Sequence, residues 1–188
     1  ELDRMLHRVI EHLSRGEREA AVREARAVVA RRPAMALGRS LLAQALLETG
    51  NLGEALAVMR QARAEGVTTA TLLRQLGLTL TETGDAKGAI EVLQPLAEGA
   101  DPRSRSALAL ALIEAGRHRE AESVLERTLA ADPDDPKAHE QLGLLELRRG
   151  RWAAARDGCR RALELDDRLP LAWNNLGVAR TRVGDVEG

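Results

Sequence analysis

A chain of 188 residues that is 44% hydrophobic and 30% charged, with a formal net charge of -1, has an ordinary soluble composition and no bulk attraction for nucleic acid or an anionic membrane. Its single cysteine, Cys159, excludes an intramolecular disulfide, and no apolar run approaches the roughly 18 residues a bilayer span needs. Lysine occurs only at Lys87 and Lys137 against abundant arginine and alanine, a bias that points to a GC-rich bacterial source.

Six glycines divide the chain into copies. Gly16, Gly50, Gly84, Gly116, Gly150 and Gly184 are separated by 34, 34, 32, 34 and 34 residues, and each of the first five is followed five residues later by an alanine: Ala21, Ala55, Ala89, Ala121 and Ala155. A fixed period between about 20 and 50 residues marks a repeat array, whose units stack on their neighbours. The copies read 2–35, 36–69, 70–101, 102–135, 136–169 and a partial 170–188, one body with no second domain required. Glu1 is not an initiator methionine and Gly188 falls where another helix should begin, so the sequence reads as part of a longer chain.

In chain order, the first copy predicts helices over Leu2–Ser14 and Glu17–Arg31, with Glu19 and Arg23 at ion-pair spacing and Pro33 closing the copy. Its Arg8 stands where later copies have leucine, which suggests a degenerate cap or a shifted register. The second copy turns at Gly50 and Asn51 and closes at Gly66, with Thr68 or Thr69 placed to cap the next helix. The third is two residues short and carries Gly88 and Pro95 in its second helix, which predicts a kink or stop near Gln94. The fourth leaves through Asp132-Pro133-Asp134-Asp135-Pro136, a helix stop followed by a carboxylate-rich helix start. In the fifth, Ala138, Leu142, Leu144 and Leu145 recur at helical spacing up to Gly150, and Trp152, Ala155, Cys159, Ala162 and Leu163 lay one stripe down the following helix.

This skeleton resembles the tetratricopeptide repeat, two antiparallel helices in about 34 residues. With Pro136 as position 1, the small residue of position 8 is Gly143, the inter-helix glycine Gly150, the alanines of positions 20 and 27 Ala155 and Ala162, and the preceding copy's proline Pro133. The last copy carries Trp173-Asn174-Asn175-Leu176-Gly177, with tryptophan at position 4. The bulky slots hold His139, Glu146 and Cys159 in the fifth copy, and there is no Phe or Tyr, so Ala and Leu must do the packing. The resemblance implies an all-α, right-handed superhelical solenoid of antiparallel helix pairs, with five full repeats and the start of a sixth. It also implies a protein-interaction scaffold that receives a peptide or helix in a concave groove.

At about 100° per residue, positions 4, 7, 8 and 11 of each first helix share one face, read as core, and positions 2, 5, 9 and 12 share the roughly opposite one. The second set supplies the candidate partner-binding residues: Ser40, Gln44, Leu47, Arg74, Leu78, Thr81, Arg103, Ser106, Leu110, Ile113, Lys137, Glu140, Leu144, Asn174 and Val178. Leu78, Leu110, Leu144 and Val178 form an apolar floor with a polar rim, the pattern partner recognition requires; the alternative is that these leucines pack between repeats. The carboxylate clamp by which relatives hold a chaperone's C-terminus is not reproduced, because position 9 never holds asparagine.

Other clusters read as structural. His7, Glu11 and His12, and likewise His118 with Glu122, fall short of a zinc ligand set, and His139 is a packing residue. Arg148, Arg149, Arg151, Arg156, Arg160 and Arg161 around Trp152 read as a solvated face, since a neutral chain nearly free of aromatics lacks the stacking platforms of a nucleic-acid binder. Cys159 lies on the buried stripe without a base to activate it. The expectation is therefore no enzyme, no cofactor, no metal, no nucleic acid and no membrane insertion, with a protein or peptide as partner and a soluble, cytoplasmic location favoured. Two alternatives stay open: an accessory docking module of a larger multidomain enzyme, or a homo-oligomer that self-associates through an open C-terminal end after Thr181.

Overall fold

A computed structural model describes residues 1–99 and 101–184, which hold eleven α-helices and no strand. They are α1 (Leu2–Ser14), α2 (Arg18–Arg31), α3 (Ala36–Glu48), α4 (Leu52–Ala64), α5 (Ala70–Glu82), α6 (Ala86–Ala97), α7 (Pro102–Glu114), α8 (His118–Ala131), α9 (Pro136–Arg148), α10 (Trp152–Leu165) and α11 (Pro170–Val183). Every first helix begins at the first residue of its copy. The second helix expected for the sixth copy lies outside the described residues. The chain divides into two compact units, Glu1–Thr83 and Gly84–Gly188, and the boundary falls in the turn of the third copy.

Local backbone chemistry sets the helix ends. Gly50, at φ +78, takes the left-handed conformation that a Cβ would disfavour, which lets its N–H reach the Leu47 carbonyl at 3.0 Å while the Asn51 N–H reaches Leu46 at 2.9 Å. The same pair of bonds closes α1, α7 and α9 around Gly16, Gly116 and Gly150, turning the chain directly into each second helix. At the other ends, the Thr69 hydroxyl accepts from the Leu72 N–H, and Asp135 accepts from Lys137 and Ala138 with Pro136 in the first turn.

The irregular third copy departs from expectation. Helix α6 does not stop near Gln94; it passes through Pro95 and ends at Ala97. Pro95 and Glu91, the residue four before it, both lie on the exposed side. The ring therefore meets no packed neighbour there, and the last turn is closed by Glu98 and Gly99 donating to Gln94 and Leu96.

Packing between copies buries more of each first helix than one stripe. In α3 the expected face, Arg39, Leu42, Ala43 and Leu46, is buried, and so is a second stripe at positions 3, 6 and 10, Gly38, Leu41 and Ala45. Helices α7 and α9 repeat this with Ser104, Ala107 and Ala111, and with Ala138, Gln141 and Leu145. The second stripe exists because a first helix packs on its own partner and on the preceding copy as well, as α3 does on α4 and α2 and α9 on α10 and α8. Helix α1 keeps the register, but its second-stripe positions are the polar Arg4, His7 and Glu11, and its Arg8 reaches across to Glu24 instead of entering a core. Glu19 and Arg23 do not form the expected ion pair among the described residues.

Position 4 has a distinct role. Arg39 Nε donates to the Pro33 carbonyl at 2.7 Å, His139 Nε2 to Pro133 at 2.9 Å and Trp173 Nε1 to Asp167 at 2.8 Å. In each case a side-chain N–H ties the helix to the carbonyl six residues earlier, in the link from the preceding copy. Three unrelated side chains thus satisfy a loop carbonyl that no helix bond can reach.

The tightest approach is between α9 and α10, where Gly143 faces Gly158 and Cys159. A Cβ at Gly143 would lie 2.5 Å from Cys159 Sγ and 3.1 Å from the Cys159 backbone nitrogen. The equivalent Gly177 in α11 has nothing within 4 Å among the described residues. Gly143→Ala should therefore cost about 1–3 kcal/mol through overpacking. Gly177→Ala should gain up to about 1 kcal/mol from helix propensity. Thermal unfolding of the two variants followed by circular dichroism checks this, and a like-signed shift would contradict it.

Candidate interaction groove

The 2, 5, 9 and 12 positions occupy the arc of each first helix left between its two buried stripes. In the first unit, Ser40 is buried and its Oγ lies 2.9 Å from Thr69 Oγ1, which ties α3 to the start of α5. Thr81 is buried with its hydroxyl donating to the Gly77 carbonyl at 2.9 Å. Gln44, Leu47, Arg74 and Leu78 are half-buried, and Leu47 and Leu78 line an open hollow of about 340 Å³.

In the second unit, Arg103 and Lys137 are exposed at the start of their helices, and Lys137 Nζ lies 2.7 Å from Oε2 of the buried Glu140. Ile113 is only 2% exposed. Ser106 is half-buried, and its carbonyl accepts from Gln141 Nε2 at 2.8 Å, a bond that joins α7 to α9. Leu110 and Leu144 are half-buried, whereas Asn174 and Val178 are exposed. Ser40, Thr81, Ile113 and Glu140 thus act from beneath the surface. Leu78, Leu110, Leu144 and Val178 keep apolar surface open to solvent.

Helix α11 also exposes Leu171, Trp173 and Val183. Leu171 stands at position 2 of its helix, whereas Leu52 lies outside the 2, 5, 9 and 12 set, yet it is exposed beside Leu47 and Leu78 and lines the same hollow. The signal was available in the sequence as a leucine directly after the turn, at the start of a second helix.

The arginine cluster is a largely solvated face, as expected, but its members are paired with carboxylates and Arg149 is covered. Arg149, with its side chain 13% exposed, contacts Glu122 at 2.7 Å and Glu146 at 2.9 Å and donates to the His118 carbonyl. Arg148 grips both carboxylate oxygens of Glu114, Arg161 reaches Asp134, and Arg156 and Arg160 pair with Asp157 and Glu164. Arg182 lies 5.4 Å from the centre of the Trp152 ring. These acids cancel the local positive charge that a phosphate ligand would need.

The remaining candidates are quiet. Cys159 is fully buried, and burial, with a smaller contribution from Glu140, pushes its thiol up to about 11, so it carries no thiolate near neutrality. His12 Nδ1 sits 2.5 Å from Glu17, and His118 lies beside the Arg149 network. No group of three metal-ligating side chains occurs among the described residues, and no helix there is long and apolar enough to cross a membrane.

Arg149 offers a test of the network. Its hydrogen bonds hold the Glu122 carboxyl below the usual glutamate range, so the folded state binds that proton more weakly than the unfolded chain. The stabilisation is present above the unfolded pKa, near 4.5, and is lost as pH falls through the lower folded value. Arg149→Met should destabilise by about 1–3 kcal/mol, because the buried Glu146 is left with only the longer contact to Arg151 at 3.4 Å. It should also flatten the fall of the melting temperature between neutral and acid pH, which thermal scans at several pH values would show.

The family-level comparisons agree with this architecture. A family model described as tetratricopeptide repeat matches residues 6–70 and 106–170. No curated protein matches the chain. Among solved structures, the type IV pilus biogenesis factor PilW is 16% identical, with a TM-score of 0.84 over 98% of this chain and 87% of that one. A tetratricopeptide repeat protein from Parabacteroides merdae is 17% identical, with a TM-score of 0.77 over 98% and 74%. YrrB, described as a TPR protein with an unusual peptide-binding site, is 19% identical, with a TM-score of 0.70 over 90% and 89%. The helix pairs, their turn glycines and the model matched across most of the chain lead to one assignment: this is an all-α helical-repeat protein that belongs to the tetratricopeptide repeat family.

Proposed function

We propose that the chain is a protein-interaction scaffold that holds a peptide or helix of a partner protein along the 2, 5, 9 and 12 face of its first helices. The observation that carries the reading is made in each unit separately: position 9 is half-buried where the neighbouring stripes are sealed, at Leu78 in the first unit and at Leu110 and Leu144 in the second, with Val178 exposed at the same position of the last copy. Half-buried leucines gain from a partner's apolar side chains at about 25 cal/mol per Å² of surface removed from water. Polar neighbours such as Arg103, Lys137 and Asn174 fix register around them. The peptide-binding site named for YrrB supports the reading by analogy of fold.

In this account affinity comes from a few anchors on the partner, not from total contact area. The test is to pan a random peptide display library on the chain and measure the selected peptides against the Leu78→Asp/Leu110→Asp variant, after circular dichroism shows it folded. Affinity should fall by at least about ten-fold, or 1.4 kcal/mol. Selected peptides that bind the folded variant unchanged would place recognition elsewhere.

A further inference from the structure

The residue one beyond position 12 ends each first helix, and in the second unit two such residues meet. Glu114 closes α7, Arg148 closes α9, and Arg148 Nη2 donates to both Glu114 oxygens at 2.7 and 3.0 Å. In the first unit the same register holds Glu48, the last residue of α3, and Glu82, the last residue of α5. Both line the hollow floored by Leu47, Leu52 and Leu78. Neither has an arginine, lysine or histidine within ion-pair distance among the described residues, and Glu48 receives only the amide of Gln44 at 3.2 Å.

The first unit carries more arginine than carboxylate, and Glu1, Glu11, Glu24, Glu54 and Glu65 are each paired with an arginine and Glu17 with His12. Glu19 also shows no ion pair among the described residues, but Glu48 and Glu82 share one hollow. A carboxylate at a helix C-terminus also faces the negative end of the helix dipole, an arrangement disfavoured by roughly 0.3–1 kcal/mol. Here two helix C-termini and two carboxylates converge on one apolar hollow. Such a site attracts a cation through charge and an aliphatic chain through the leucine floor, the two halves of a lysine or arginine side chain.

Resting on the scaffold reading above, we propose that the partner segment held by the first unit is basic and amphipathic. An arginine or lysine of that segment sits between Glu48 and Glu82 in the place Arg148 fills in the second unit, and a neighbouring leucine or methionine packs on Leu47, Leu52 and Leu78. The lining belongs to α3, the start of α4 and α5, so the first unit alone builds the site.

The probe is a fluorescein-labelled helical peptide of repeated Leu-Lys-Lys-Leu segments separated by alanines, compared by anisotropy with the same peptide in which every lysine is glutamate. The full chain should bind the lysine peptide at least ten-fold more tightly, and the Glu48→Gln/Glu82→Gln variant should lose that preference. Glu82→Arg should go further, pairing with Glu48 as Arg148 pairs with Glu114: it should abolish lysine-peptide binding and raise the melting temperature, which separates loss of the site from loss of the fold. The control Glu114→Gln, in the second unit, should leave binding unchanged. Equal affinity for the two peptides, or a lysine preference that survives in Glu48→Gln/Glu82→Gln or in Glu82→Arg, overturns the proposal. If the glutamate peptide binds and Leu78→Asp removes it, the groove reading stands and only the basic partner is lost; if neither peptide binds, this proposal falls, and the display selection alone decides the groove.

Discussion

The structure depends on how closely two helices approach within a copy. Small residues at fixed positions, Ala21, Ala55, Ala121 and Ala155 on the second helices, are completely buried. At Gly143 and Gly158 the approach leaves no room for a single added carbon on either helix. Close approach within the pair leaves each first helix free to bury a second stripe on the copy before it. What remains is a narrow arc in which buried Ser40, Thr81, Ile113 and Glu140 lie beneath half-buried leucines such as Leu78, Leu110 and Leu144.

Charge is distributed to the same end. With no Phe or Tyr, the chain links neighbouring elements within each unit by arginine–carboxylate pairs such as Arg26–Glu54, Arg148–Glu114 and Arg161–Asp134. Exposed pairs of this kind are each worth little, about 0–1 kcal/mol, but they neutralise charge over most of the surface. The glutamates at the ends of α3 and α5, which show no ion pair among the described residues, share the hollow lined by Leu47, Leu52 and Leu78.

The parts of the fold legible in the sequence were those that local backbone chemistry decides. The repeated glycines end their helices, a threonine at 68 or 69 and the carboxylates before Pro136 mark helix starts, and the alanine stripe is buried, because each follows from a residue type and its immediate spacing. The second stripe at positions 3, 6 and 10 was not legible, because it is made by contact with the preceding copy, and helical spacing alone does not say how many neighbours a helix has. The pairing of the arginine cluster was not legible for a related reason: Arg149 finds Glu122 and Arg148 finds Glu114 about one repeat away, beyond any i,i+4 rule. Pro95 was weighed by its intrinsic cost, whereas its exposed position lets the helix absorb it. On the groove face, spacing identified the arc but could not separate Ile113 and Glu140, which lie beneath it, from Leu110 and Leu144, which reach its surface.

The central claim is that partners are held on the first helices, along that arc. A crystal structure of the chain with a library-selected peptide tests it most directly. The account expects the peptide to lie on the first helices with apolar side chains against leucines of the 9 and 12 positions, Leu47 and Leu78 or Leu110 and Leu144. A peptide seated instead on the outer faces of the second helices, against residues such as Ala57 and Arg127, would contradict it.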